Sequence, residues 1–152
     1  MGGREFTVRA GATVFGVRTS VAQPLTKVYR RGTLSPGVPF SDKSQFGSTL
    51  IRVRADRGFT LGHNLAFESH GVAGQLDKLP GVLQELKANK TDAIVAIGFP
   101  TAMAAKAAGI PTVVAFGSGD PVATGLVDGL ARPGGNITGI SDVAETPSTK
   151  PL

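Results

Sequence analysis

The stretch "TDAIVAIGFPTAMAAKAAGIPTVVAFGSGDP", residues 91–121, decides the fold. Its first part, "DAIVAIG", is a near-continuous apolar run of the kind buried on both faces of a parallel sheet. "PTAMAAKAAG" follows as an alanine-rich helix that starts at a Pro-Thr pair and is closed by Gly109. "PTVVAFG" is then a second apolar strand. Strand, helix and strand in immediate succession make a βαβ unit, which demands a parallel sheet and a right-handed crossover.

Working outward, the same alternation continues in both directions. Upstream, "KVYRRGTL" (27–34) reads as a strand that ends in the turn "SPGVPFSD" (35–42), where two prolines and a glycine forbid a continued element. Ser44 precedes "QFGSTLIRVRADRG", in which Phe46, Leu50 and Val53 fall at helical spacing and Gly58 is a natural stop. "NLAFE" (64–68) is a short strand. "QLDKLPGVLQELKANK" (75–90) places Leu76, Leu79, Leu83 and Leu86 on one helical face, with Pro80 either in the first turn or at the cost of a hydrogen bond. Downstream, "PVATGLVDGLA" (121–131) reads as a fourth helix and "NITGIS" (136–141) as a fifth strand after the "RPGG" turn. The expectation is a single α/β lobe, βαβαβαβαβ, with a doubly wound parallel sheet.

Composition agrees with one globular unit. The 152 residues are 41% apolar and 18% charged, and 21 glycines and 10 prolines imply short elements joined by turns. The net charge is +5, yet the cations are scattered: Arg4, Arg9 and Arg18 at the start, Arg30 beside Arg31, and Arg52, Arg54 and Arg57 on one helical stretch. With one Tyr, no Trp and no interleaving of aromatic and basic residues, no nucleic-acid partner is expected. The absence of Cys excludes disulfides, thiolate zinc sites and cysteine nucleophiles. His63 and His70 lie outside any metal-ligand spacing and read as solvent-facing, so no metal is expected.

The first 22 residues read as a secretory signal peptide. Arg4 and Arg9 form a basic lead, Ala10 to Val17 a short apolar run, and Ser20-Val21-Ala22 the small residues that a signal peptidase accepts. The run is far short of the roughly 20 apolar residues that span a bilayer.

In an open parallel sheet, ligands sit outside the carboxyl ends of the strands. The turns to inspect are therefore "LSPG" (34–37), "GFPT" (98–101) and "FGSGDP" (116–121), each expected to open a helix and to offer free N–H groups to an anionic ligand. A dinucleotide fingerprint fails, because Val122 stands where the third glycine after Gly117 and Gly119 belongs and the turn follows a late strand. There is no P-loop and no G-x-S-x-G elbow; Ser118 has no nearby His, and Asp120 and Asp128 would lie at opposite ends of one helix. The sequence offers no catalytic constellation and calls for no cofactor. Asp120-Pro121 has the form of a helix cap followed by a first-turn proline, and the Asp120 carboxylate is also placed to meet a ligand amine.

"GDPVATGLVDGLARPGGNITG" (119–139), extended by "VYRRGTLSPG" (28–37), "GFTLGHNLAFE" (58–68) and the leader, resembles the ABC-transporter substrate-binding proteins that include tryptophan- and tyrosine-type uptake receptors. The resemblance implies a type I periplasmic-binding fold, two α/β lobes closing on a small ligand, with a membrane permease as partner and the periplasm as location. It implies ligand-facing roles for Ser35 and Pro36, for Phe99, Pro100 and Thr101, and for Asp120 and Pro121. Phe99 would stack on an apolar or aromatic ligand, Thr101 and the helix-start amides would hold a carboxylate, and Asp120 would meet an amine. Family members run to about twice this length, a size fit for two lobes. The expected division is a signal peptide (1–22), one ligand-binding lobe (23–143) and the beginning of a crossover toward a second lobe (144–152). A lobe alone would offer half a site and an exposed face that invites self-association. Arg31, where the family usually carries an apolar residue, and Arg54, beside the apolar face of its helix, are departures that place charge near the core. Two other readings are open: a ligand-sensing lobe of a regulator, which lacks any helix-turn-helix pattern here, and a small α/β enzyme with an unrecognised site.

Overall fold

A computed structural model describes residues 27–142; the leader and the crossover segment 144–152 lie outside the described residues. Five strands, β1 (Tyr29–Ser35), β2 (Leu65–Gly71), β3 (Ala93–Ile97), β4 (Thr112–Ser118) and β5 (Ile137–Asp142), form one sheet in the order β2-β1-β3-β4-β5. Every pairing is parallel. The helices are α1 (Gln45–Ala55), α2 (Leu79–Ala88) and α3 (Phe99–Ala108). This is the doubly wound α/β lobe the alternation implies, with its order reversing between β1 and β3.

Each helix begins and ends for a local reason. The Ser44 side chain accepts the Gly47 N–H at 3.1 Å to cap α1, whose last turn carries Arg52 and Arg54 at the negative end of the dipole. Pro80 sits in the first turn of α2, where its missing N–H costs nothing. Gly98 precedes α3 at a φ of 81°, and Gly109 closes it in the left-handed conformation.

The two faces of the sheet are built differently. Register puts Leu34, Ala96 and Val114 on the same face, together with Ile94, two residues from Ala96 along β3. There α2 and α3 pack side by side, and Leu34, Leu83, Leu86, Ile94, Ala105 and Ile110 form a dry cluster. Complete burial of Leu34, Leu86 and Ile94 is worth about 2–3 kcal/mol each. A second cluster continues toward β5 through Ala96, Ala102, Val114, Leu126, Val127 and Ile137. The opposite face carries α1, in which Gly47 is the buried residue, and the loop before it, whose Phe40 carbonyl accepts the Thr33 hydroxyl at 3.4 Å.

Several expectations need correction. The fourth helix does not form: residues 121–131 are turns and irregular chain, with the Leu126 and Val127 N–H groups both directed at the Pro121 carbonyl at 2.9 and 3.1 Å. Two glycines, Gly125 and Gly129, interrupt this stretch, and each costs about 1 kcal/mol in a helix. The first strand's turn does not open a helix directly, since α1 starts only at Gln45. Leu76 lies in a short 3-10 turn and is exposed rather than on the buried face of α2. The second strand runs on to Gly71, which places His70 on it, half-buried and 3.7 Å from Glu68 instead of facing solvent. Arg31 finds a partner in Asp92 at 3.8 Å.

Candidate functional site

The three turns singled out by topology follow β1, β3 and β4, which are consecutive in the sheet, so their tips converge. Ser35 is the last residue of β1 and is buried; its Oγ accepts the Gly37 N–H at 3.1 Å and bends the chain. Pro36 follows it, half-buried, with its Cγ 4.0 Å from where a side chain at Gly98 would begin. The tips of β3 and β4 are tied by the Gly98 N–H, which donates to the Phe116 carbonyl at 2.7 Å.

Gly98 launches α3 so that Phe99, Pro100 and Thr101 form its first turn. Pro100 is exposed and Thr101 fully buried. The Thr101 hydroxyl faces the Ile97 carbonyl at 2.7 Å and the Gly98 carbonyl at 2.9 Å, so it secures the strand-to-helix turn from inside. As at any helix start, backbone donors are left over: the Phe99 and Thr101 N–H groups have no acceptor among the described residues. The Phe99 ring lies across the glycine-spaced turn after β4. Its Cε2 is 3.7 Å from where a methyl on Gly117 would stand and 3.8 Å from one on Gly119. Gly119 also takes a φ of 99°, which a side chain resists. The two glycines therefore seat an aromatic ring and turn the chain, work unrelated to a dinucleotide.

Asp120 is exposed at the far rim. Its Oδ1 accepts the Val122 and Ala123 N–H groups at 2.8 and 3.1 Å, capping a turn that never propagates into a helix. Among the described residues the second carboxylate oxygen makes no hydrogen bond. Pro121 is buried beneath it. Between the segment 121–133 and the face of β4 and β5 lies a half-open cavity of about 70 Å³ lined by Phe99, Val114, Pro121, Leu126, Val127 and Ile137. It is apolar, and of the residues singled out from the sequence it takes in Phe99 and Pro121, while Ser35, Pro36, Pro100, Thr101 and Asp120 lie outside its lining.

Sequence reasoning selected Phe99 and Pro121 but missed Val114, Leu126, Val127 and Ile137. The signal was present as the apolar pair Leu126-Val127 amid glycines, yet a helix there would have pointed these side chains along its own face. Folded as turns, they close the pocket floor.

Residues 48–149 match the model of a family described as ABC transporter substrate binding protein. A tyrosine-binding protein of Clostridioides difficile (strain R20291) is 32% identical over 116 residues, covering 75% of this chain and 33% of the relative. Among solved structures, a ligand-free, open substrate binding protein with adhesive properties from Clostridium difficile superposes with a TM-score of 0.67 at 27% identity, over 78% of this chain and 40% of that one. A conserved domain protein of Vibrio cholerae gives 0.67 at 27% identity, over 77% and 40%. An ABC domain from Streptococcus pneumonia in complex with L-Trp gives 0.60 at 25% identity, over 76% and 39%. The chain thus spans about a third of the curated relative and about 40% of the solved structures, one lobe of each.

Proposed function

The chain belongs to the ABC transporter substrate-binding protein family, and from that premise we propose that it captures an amino acid at the crevice above β1, β3 and β4 and serves an ABC importer as a non-catalytic binding module. The observation that carries the reading is the apolar cavity that Phe99 and Pro121 line, next to the strand tip that bears exposed Asp120. An aromatic or large apolar side chain enters the pocket, the ligand carboxylate meets the start of α3, and the ammonium meets Asp120. Ser35, Pro36 and Pro100 shape the wall opposite. A relative that binds tyrosine and a neighbour holding L-Trp support this ligand class.

The same reading places the mature protein in the periplasm, delivered by the signal peptide of residues 1–22, with a membrane permease as the partner that receives the ligand. The lobe covers one side of the ligand, so affinity is orders of magnitude below that of a closed two-lobe cleft. Exposed Phe116 and Ile140, the latter on the edge strand β5, favour self-association of this lobe. The test is calorimetric titration with tryptophan, tyrosine, phenylalanine, glutamate and glucose, alongside the mass in solution. Weak saturable binding of the aromatic amino acids, abolished by Phe99→Ala, is expected; equal heats for glucose and tyrosine, or binding indifferent to Phe99→Ala, would overturn the assignment.

A further inference from the structure

The end of the sheet opposite the crevice holds a concentration of cations that the capture of an amino acid does not use. Arg31, on β1, lies 5.6 Å from the Tyr29 ring, and Tyr29 packs edge-on against Phe59 at 5.2 Å. Phe59 follows α1 directly, its N–H bonded to the Arg54 carbonyl at 3.0 Å. The backbone of Arg54 at the end of the helix is thus tied to the residue that packs on Tyr29, and Arg31 on the sheet lies over the same ring. Arg57 lies one turn further on, its N–H also on the Arg54 carbonyl.

The charges there do not balance. Asp92 is already divided between the Arg30 N–H at 2.7 Å, the Lys27 ammonium at 3.6 Å and Arg31 at 3.8 Å, and Asp56, the exposed residue that ends α1 between Arg54 and Arg57, forms no ion pair among the described residues. Among the described residues Arg54 and Arg57 form no ion pair. The Arg54 Nε is sealed from solvent with no acceptor. Burial, and then the positive charges of Arg31 and Arg57, push the Arg54 guanidinium below its ordinary value. A donor withdrawn from water without an acceptor is destabilising, and more so beside like charges. The missing component is an acceptor with negative charge.

We propose that Arg31, Arg54 and Arg57 form a second binding site, for a small oxyanion such as a phosphate or a carboxylate, between α1 and the start of β1. A guanidinium presents paired N–H donors in a fork that fits such an anion, and two forks from different elements fix it in place. Occupation would offset the repulsion among the guanidinium groups and hold the end of α1, the helix with the least apolar burial, against the sheet. Nothing in this inference depends on what the crevice binds.

The test is the thermal midpoint of the full chain titrated with inorganic phosphate and, separately, with acetate, each against chloride at equal ionic strength and pH. Concentrations stay in the low millimolar range, where the general stabilisation by excluded salts is small. A saturating rise with phosphate or acetate is expected, and the anion that saturates names the preferred class. Arg54→Gln and Arg31→Gln should each weaken the apparent affinity tenfold or more, while Lys43→Gln, at the other end of the α1 region, should leave it unchanged. Arg54→Lys, which retains charge but loses the fork, should fall between. Phosphorus NMR line broadening provides a second readout should a Gln variant fold poorly. Coincident midpoints in phosphate, acetate and chloride, or a rise undiminished in both Gln variants, would overturn the site.

Discussion

The two faces of the sheet use the same strands to different ends. The face under α2 and α3 is sealed by aliphatic side chains in two apolar clusters, one around β1, β3, α2 and α3 and one reaching β5. The face under α1 is held by aromatic edges, by Phe46 with Phe40 and Phe116 at 5.2 and 5.7 Å, by backbone packing and by arginines. Val113, Phe116 and Ile140 remain 40%, 60% and 73% exposed there. A parallel sheet normally has both faces covered. The contrast teaches that stability is concentrated on one face, while the other is left to charge, loops and partners.

Truncation across the two faces gives the largest expected effect. Leu86→Ala, at a site with no exposure, should cost about 2–5 kcal/mol. Val53→Ala, on the half-open helix α1, should stay within about 0.5 kcal/mol. Urea unfolding checks both, and equal costs would erase the distinction between the faces.

A second change probes the α1 side, where backbone meets backbone. A side chain on Gly71, at the end of β2, would begin 2.5 Å from both the Gly37 carbonyl and the Pro39 nitrogen. Gly71→Val should therefore cost about 1–3 kcal/mol and shift the loop that carries Pro36, with weaker ligand capture as a result. An unchanged unfolding midpoint would mean that the loop is not locked to the sheet as described.

The smallest expected effect is electrostatic and depends on pH. The Arg30 N–H, with help from Lys27 and Arg31, holds the Asp92 carboxyl below its ordinary value. A depressed folded value means that the stabilisation is present above the unfolded pKa of about 3.9 and is lost as pH falls through the folded one. Asp92→Asn should lower the thermal midpoint modestly at pH 7, and the gap to the unaltered protein should close below about pH 4. A gap that persists at pH 3 would show that Asp92 acts through shape rather than charge.

Much of this organisation was legible in the sequence because apolar runs and glycine stops record it directly. "DAIVAIG" announced the central strand and Pro80 marked a helix start, while of the residues named at the three strand tips the cavity takes in Phe99 and Pro121. The path of residues 121–131 was not legible: Asp120-Pro121 has the form of a helix start, yet Gly125 adopts a φ of 68° and halts propagation after one turn. Nor was the pairing of Arg31 with Asp92 visible, since 60 intervening residues separate partners that register brings together only when β1 and β3 are neighbours. Local signals specified the elements; packing specified the pocket floor and the ion pairs.

The most direct test of ligand capture is a nitrogen-15 NMR titration of the chain with L-tyrosine. The account predicts shift changes concentrated in residues 35–37, 98–102 and 117–123, with those of Arg31 and Arg54 unmoved. Changes centred on the opposite end of the sheet, or none at millimolar ligand, would contradict it.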